Sequence, residues 1–371
     1  MVTERKRPWL PLVLTVACGC GAPSEPAARP LASLFLGGDI SALARIEDAG
    51  GVFRDGGQAR DAITILRSHG ANTFRLRLFV APNDSDVQVN DLPYTLALAA
   101  RVKASGAKLL LDIHYSDTWA DPAHQTIPAA WAGLPFDSLE QRVETYTADA
   151  VAQLKHAGAL PDIVQIGNEI DAGVLWPLGR VGGSYDTPTQ WDQFTRLLKA
   201  GIRGVRDSLD PSNSVRVMLH YSAGGSAAGT QWFFDHIQAS GVPFDLIALS
   251  YYPWWHGSLS RLALNLDATA RRYDKDIVVV ETSYPWRAGG WESMVFDTAA
   301  MAWAASPAGQ AQFFGDLVSV VRRTTDDHGA GVLWWYPEAI VVPGLFVLGG
   351  GSLALFDSTG TILPAAAAFS P

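Results

Sequence analysis

The sequence predicts a (β/α)8 barrel. Three observations predict it. Eight short apolar runs follow one another after about residue 32, amphipathic stretches separate them, and polar or aromatic side chains stand at their C-terminal ends, where a barrel gathers its functional groups. The rival architecture is a doubly wound open sheet. Its nucleotide-binding form would carry G-x-G-x-x-G or G-x-x-x-x-G-K-[ST], and the chain has neither.

The runs are "SLFLGGD" (Ser33–Asp39), "NTFRLRLFV" (Asn72–Val80), "KLLLDIH" (Lys108–His114), "DIVQIGNE" (Asp162–Glu169), "SVRVMLH" (Ser214–His220), "DLIALSYY" (Asp245–Tyr252), "DIVVVET" (Asp276–Thr282) and "GVLWWY" (Gly331–Tyr336). Each is short and has turn residues near its boundaries, as parallel strands buried on both faces should be. Helices are predicted between them at Arg60–Gly70, Leu92–Gly106 and Leu139–Gly158, each closing on a glycine suited to a helix C-terminus. Further helices are predicted at Thr189–Leu209, Thr230–Gly241, Leu259–Tyr273 and Gly309–Gly329.

Residues 1–20 read as a secretory leader, with a basic start (Arg5, Lys6, Arg7) and a short apolar stretch from Trp9 to Ala17. The only two cysteines, Cys18 and Cys20, fall at its end, so no disulfide framework or thiolate site is expected in the body. Residues 21–32 read as a flexible tether, and residues 33–371 as one catalytic domain. The chain has 371 residues, a net charge of −9 and a pI near 5.3, which argues against a nucleic-acid surface. Its 13 Trp and 10 Tyr suit sugar stacking, although core filling accounts for most of them.

The run ends present Asp39, Arg75, Arg77, His114, Asn168, Glu169, His220, Tyr251, Tyr252, Glu281, Trp334 and Trp335. Two glutamates thus terminate very apolar runs, the fourth and the seventh. A facing pair of carboxyls suits glycoside hydrolysis, with one protonating the leaving oxygen and the other attacking the anomeric carbon. A metal-dependent barrel hydrolase would show H-x-H on an early strand and a serine hydrolase G-x-S-x-G; both are missing. Arg75 and Arg77 share one strand face by period two, offering either positive charge under the nucleophile or an ion pair closing the interior.

At these residues the sequence resembles the arabinogalactan endo-β-1,4-galactanases, glycoside hydrolase family 53. The matching stretches include "GGDISALARIEDAGGVFRD", "LLLDIHYSDTWADPAHQTIPAAW", "VQIGNEIDAGVLWPLG", "WFFDHIQASGVPFDLIALSYYPWW" and "VVVETSYPW". The resemblance implies a retaining enzyme with Glu169 as acid/base and Glu281 as nucleophile. It implies that Asn168 holds a sugar hydroxyl, that Tyr251 or Tyr252 donates to Glu281, and that His114, Asp117, Trp119 and His220 line sugar subsites. Asp39 is a subsite or support residue, and Trp335 a stacking platform or core residue.

For that chemistry Glu169 must stay protonated at rest through apolar surroundings and repulsion from Glu281, giving a bell-shaped pH profile owned by the pair. The substrate implied is β-1,4-galactan of type I arabinogalactan. The protein is expected to be a secreted or cell-surface bacterial lipoprotein, a monomer, touching the membrane only through its N-terminal lipid. Another β-linked polysaccharide, or galactan binding without catalysis, stays open as an alternative.

The chain departs from the family pattern in "LWWYPEA", where Tyr336 precedes Pro337, and in the apolar, glycine-rich loop that follows. Bacterial relatives often bind calcium there. No cofactor is expected to be required, and no clear cluster of oxygen ligands for a structural calcium is visible in this loop.

Overall fold

The computed structural model describes residues 1–2, 34–210, 212–294 and 298–370. The predicted leader and tether, with Cys18 and Cys20, lie outside the described residues apart from Met1 and Val2. Eight parallel strands close into a barrel: β1 (Phe35–Asp39), β2 (Thr73–Leu78), β3 (Lys108–Ile113), β4 (Ile163–Ile166), β5 (Arg216–Tyr221), β6 (Leu246–Ser250), β7 (Asp276–Glu281) and β8 (Gly329–Trp335). They are hydrogen-bonded in chain order, and β8 pairs with β1 from Phe35–Gly331 to Asp39–Trp335.

Around the barrel run α1 (Ala62–Ser68), α2 (Leu92–Ala104), α3 (Phe136–His156), α4 (Pro188–Asp207), α5 (Ala227–Ala239), α6 (Leu259–Tyr273) and α7 (Pro307–Arg322), with a 3-10 turn at Pro364–Phe369 in the eighth position. Among the described residues no helix is long and apolar enough to cross a membrane. Side-chain caps start several of these helices: Asp61 accepts from Thr64 N at 2.7 Å, Asp91 from Tyr94 N at 2.9 Å and Ser226 from Gly229 N at 3.2 Å. The Ser226 cap explains why α5 begins three residues before the apolar pattern suggests.

At the other extreme, α7 stops at Arg322 rather than running on to Gly329. Asp267 Oδ1 accepts from Thr325 N at 2.9 Å, taking that group out of the helical ladder, and Asp326 and Asp327 both sit at φ 57°. Strand β8 then begins at Gly329, two residues earlier than its apolar run.

Alternation along each strand sorts the interior into layers. Phe35, Leu110, Ile163, Met218, Leu246, Val278 and Leu333 fill the base of the barrel, while the outward residues pack under the helices. Burying each large apolar side chain contributes about 1.5–3 kcal/mol against the entropy of ordering the chain. Strands β1 and β2 approach closely at Gly37, where a Cβ would sit 1.7 Å from Thr73 O. No side chain fits there.

Candidate active site

Above that apolar base, each of the first six strands turns a polar group inward: Asp39, Arg75, Asp112, Gln165, His220 and Ser250, all fully buried. Buried polar groups need partners, and here they supply one another. The Arg75 guanidinium is the hub. It donates to Asp39 Oδ2 at 3.0 Å, Asp112 Oδ2 at 2.7 Å and Asn168 Oδ1 at 2.6 Å, and pairs with Glu281 Oε1 at 2.8 Å. Burial works against its charge, but Asp112, Glu281 and Asp39 outweigh burial and hold the group protonated. Burial likewise pushes Asp112 upward, and Arg75 and His114 more than reverse it.

Glu281 reaches this hub because of a bulge. Val278 and Val280 both belong to the interior cluster, so strict alternation would send Glu281 outward to the helices. Leu249 pairs with Val279 but Ser250 pairs with Glu281, leaving one extra residue on β7. That extra residue re-aims the carboxyl into the barrel mouth. Tyr252 O–H then donates to Glu281 Oε2 at 3.2 Å.

Glu169 arrives by a different device. Strand β4 ends at Ile166, and Gly167 at φ 79° turns the chain; a Cβ there would meet Ile170 Cγ2 at 2.5 Å. Glu169 itself sits at φ 44°, a left-handed conformation that non-glycine residues rarely occupy and that clusters at functional sites. Gln125 holds the turn from behind, donating to Asn168 O at 2.8 Å and Glu169 O at 3.3 Å. Ser250 O–H bonds to Glu169 Oε1 at 2.7 Å, and His220 Nε2 lies 2.9 Å from the same hydroxyl. Burial first, then Arg75, keep His220 neutral, so the direction of the protons along His220–Ser250–Glu169 follows the imidazole tautomer.

The two glutamates line one cleft of about 370 Å³, together with Arg77, His114, Trp119, Trp335 and Tyr336. Burial pushes both carboxyls above the usual range. Glu281 raises Glu169 further, whereas Arg75 works against the rise at Glu281. The pair is thereby split, with Glu169 the more firmly protonated member. Arg77 is held face-on by Trp119, 4.3 Å away, and Tyr336, 4.9 Å away.

Not every residue read from the strand ends faces this cleft. Tyr251 points away, its O–H donating to Gly257 O at 2.8 Å, because consecutive side chains leave a strand on opposite faces. Only Tyr252 reaches Glu281. Asp117 does not line the cleft; it clamps two loops, accepting from Ala81 N at 3.0 Å and Ala129 N at 2.8 Å. His220 lies beneath the cleft rather than in its wall, and Asp39 supports Arg75 and accepts from Ser41 Oγ. His114, Trp119, Asn168 and Trp335 do line it. Asp112, Gln165 and Ser250 are not among the residues the sequence singles out, although Asp112 sits two residues before His114, Gln165 three before Asn168, and Ser250 within the sixth run. Among the described residues no group of three or more His, Cys, Asp or Glu is arranged to hold a metal.

The model for glycosyl hydrolase family 53 matches residues 35–369. The chain belongs to glycosyl hydrolase family 53. It is 34% identical over 345 residues to the arabinogalactan endo-β-1,4-galactanase of Thermothelomyces thermophilus, covering 90% of this chain and 98% of that one. An uncharacterised protein of Niallia circulans is 42% identical over 339 residues, covering 88% of this chain and 91% of that one. The family 53 catalytic domain of Ignisphaera aggregans superposes with a TM-score of 0.84 at 35% identity, covering 92% of this chain and 96% of that one. The protein is accordingly a glycoside hydrolase of the (β/α)8 class.

Proposed function

We propose that this family 53 hydrolase is a retaining endo-β-1,4-galactanase acting on the galactan backbone of type I arabinogalactan. The observation that carries the reading is the split pair: Glu281 held by Arg75 at 2.8 Å, facing a more firmly protonated Glu169 across the same cleft. The galactanase activity of the relatives supports the choice of substrate.

In the first step a Glu281 oxygen attacks the anomeric carbon while the Glu169 proton passes to the glycosidic oxygen. The C–O bond breaks, leaving a glycosyl ester and an ionised Glu169. Esterified Glu281 no longer repels Glu169, which now takes a proton from water as that water attacks the same carbon. The ester breaks, Glu281 is released as carboxylate, and two inversions give net retention. In this reading Tyr252 and Arg75 keep Glu281 ionised and aimed, and Asn168 holds a hydroxyl of the sugar being cleaved.

The reading includes residues 1–20 as a leader, residues 21–32 as a tether, and a secreted or cell-surface location through lipid on Cys18 or Cys20. The enzyme acts as a monomer and needs no cofactor.

Turnover of β-1,4-galactan by Glu281→Ala, followed as reducing ends, tests the nucleophile. It should be lost, and azide should restore cleavage with inverted product, because the small anion enters the space of the missing carboxylate. Near-normal turnover by that variant would sink the assignment. Activity of the parent on mannan or glucan instead of galactan would move the substrate, and tight galactan binding without product would remove catalysis.

A further inference from the structure

The turn that presents Glu169 carries a second acid two residues further on, which the catalytic step does not use. Asp171 sits in the 3-10 turn Ile170–Ala172, half-buried, and is not among the residues lining the cleft. The residue that follows β5 holds both of its oxygens. Ser222 N–H donates to Oδ1 at 2.7 Å and Ser222 Oγ to Oδ2 at 2.6 Å. Gln125, on the loop after β3, holds the carbonyls of Asn168 and Glu169 on the other side. The two clamps bracket Glu169, whose left-handed backbone at φ 44° persists only where its surroundings fix it.

Geometry alone would make Asp171 a scaffold, but its charge reaches further. Among the described residues Asp171 has no ion pair. Around it stand Glu169, Arg180 and Tyr185 on its own loop and Tyr221 on β5, while α5 and the loop after β3 contribute Trp232, Pro122 and Ala123, which do not titrate. The Arg180 guanidinium lies between Trp176, 4.2 Å away, and Tyr185, 4.5 Å away, and does not pair with Asp171. His220, beneath Glu169, is neutral. Burial therefore outweighs the Ser222 bonds and pushes the Asp171 carboxyl up to about 6. Above that pH it is an anion. Burial and then Glu281 raise the Glu169 carboxyl most, and Asp171 adds to them.

The two neighbouring charges differ in how long they last. Esterification removes the Glu281 charge halfway through the reaction, whereas the Asp171 charge persists. Before the glycosidic bond breaks it helps Glu169 keep its proton; afterwards it makes ionised Glu169 a stronger base toward water. We propose that Asp171 is a positioning residue for Glu169, fixing its turn through Ser222 and acting on its proton by a charge that outlasts the glycosyl ester. This rests on Glu169 being the acid/base of the proposed mechanism.

Asp171→Asn keeps the side-chain shape and an acceptor for Ser222 N–H but never ionises, so at every pH it matches the parent with Asp171 protonated. On β-1,4-galactan the kcat profiles of parent and variant should coincide below about pH 6 and part above it. The alkaline limb of the variant should lie about half a unit lower, roughly a threefold change in the Glu169 protonation equilibrium. Ser222→Ala keeps the acid and removes a bond that opposes its rise. Its departure from the Asp171→Asn profile should begin at a higher pH than the parent's does. Thermal melting establishes that each variant is folded. Profiles of parent and Asp171→Asn that differ by one factor at every pH would mean a scaffold only, and profiles that never part would remove Asp171 from the reaction; either overturns the proposal. If Asp171→Asn does not fold, Ser222→Ala decides, and a profile identical to the parent's overturns it. Glu169→Gln separates the two readings. Residual activity that keeps the alkaline limb refutes Glu169 as the acid/base, whereas a lost limb there with an unmoved limb in Asp171→Asn refutes the role of Asp171 alone.

Discussion

Glu169, the acid/base of the proposed mechanism, is set by neighbours that lie outside the reacting bond. Ser250 bonds to Glu169 Oε1 at 2.7 Å, and this bond opposes the upward push of burial and of Glu281. Removing it in Ser250→Ala leaves the other two influences in place, so the Glu169 carboxyl rises further. The alkaline limb of the kcat/KM profile should move to higher pH, and kcat should fall about tenfold, the worth of one hydrogen bond to a charged group. A pH–rate profile with an unmoved alkaline limb would show that Ser250 only fills space. Glu169 was legible in the sequence because it follows an apolar run and an asparagine; Ser250 was not, because serine inside a strand carries no signal until its facing partner is known.

Among the elements, the strand ends matter more than the strands. Parity along a strand let Arg75 and Arg77 be read as one face, and the structure turns both into the barrel. The same rule fails at β7, where a single extra residue brings Glu281 in after Val280. Its cause lies in pairing with β6, which the seventh run by itself does not contain. Loops show the same dependence. Asp117 joins the loops after β2 and β3 through Ala81 N and Ala129 N, a role invisible in its own segment. Asp117→Ala should therefore lower stability by about 1–3 kcal/mol, from two lost carboxylate acceptors. It should also raise KM more than it lowers kcat, because Trp119 is carried on the released loop. Equilibrium unfolding in urea together with steady-state kinetics checks both parts; a variant as stable as the parent would contradict the clamp.

Across the whole molecule, the barrel tolerates a buried acid that has no ion pair among the described residues, with Arg77 only partly offsetting its burial. Glu338 follows the departing "LWWYP" motif; its Oε1 accepts from Ala42 N at 3.0 Å, and Oε2 has no partner among the described residues. Burial, with Asp39 adding to it, pushes this carboxyl up to about 8. The folded state thus holds a proton that the unfolded chain gives up near its ordinary value, about 4.3. Stability from this group is complete below that value and is lost as the pH rises through about 8, at a rate of about 1.4 kcal/mol per pH unit in between. Glu338→Gln cannot ionise and keeps an oxygen for Ala42 N. Its melting temperature should exceed the parent's at pH 8 by several degrees and match it near pH 4; a difference that does not grow with pH would refute this account.

The chain's own order of residues settled the class of fold, the eight strands to within a few residues, and the standing of two glutamates at strand ends, because periodicity and strand-end chemistry are local properties. What only the closed barrel decided was which tyrosine serves Glu281, that His220 and Asp39 work from beneath, and that Arg75 gathers three carboxylates. Those are relations between strands distant along the chain, and they come into being when the sheet closes and excludes water from the polar layer it encloses.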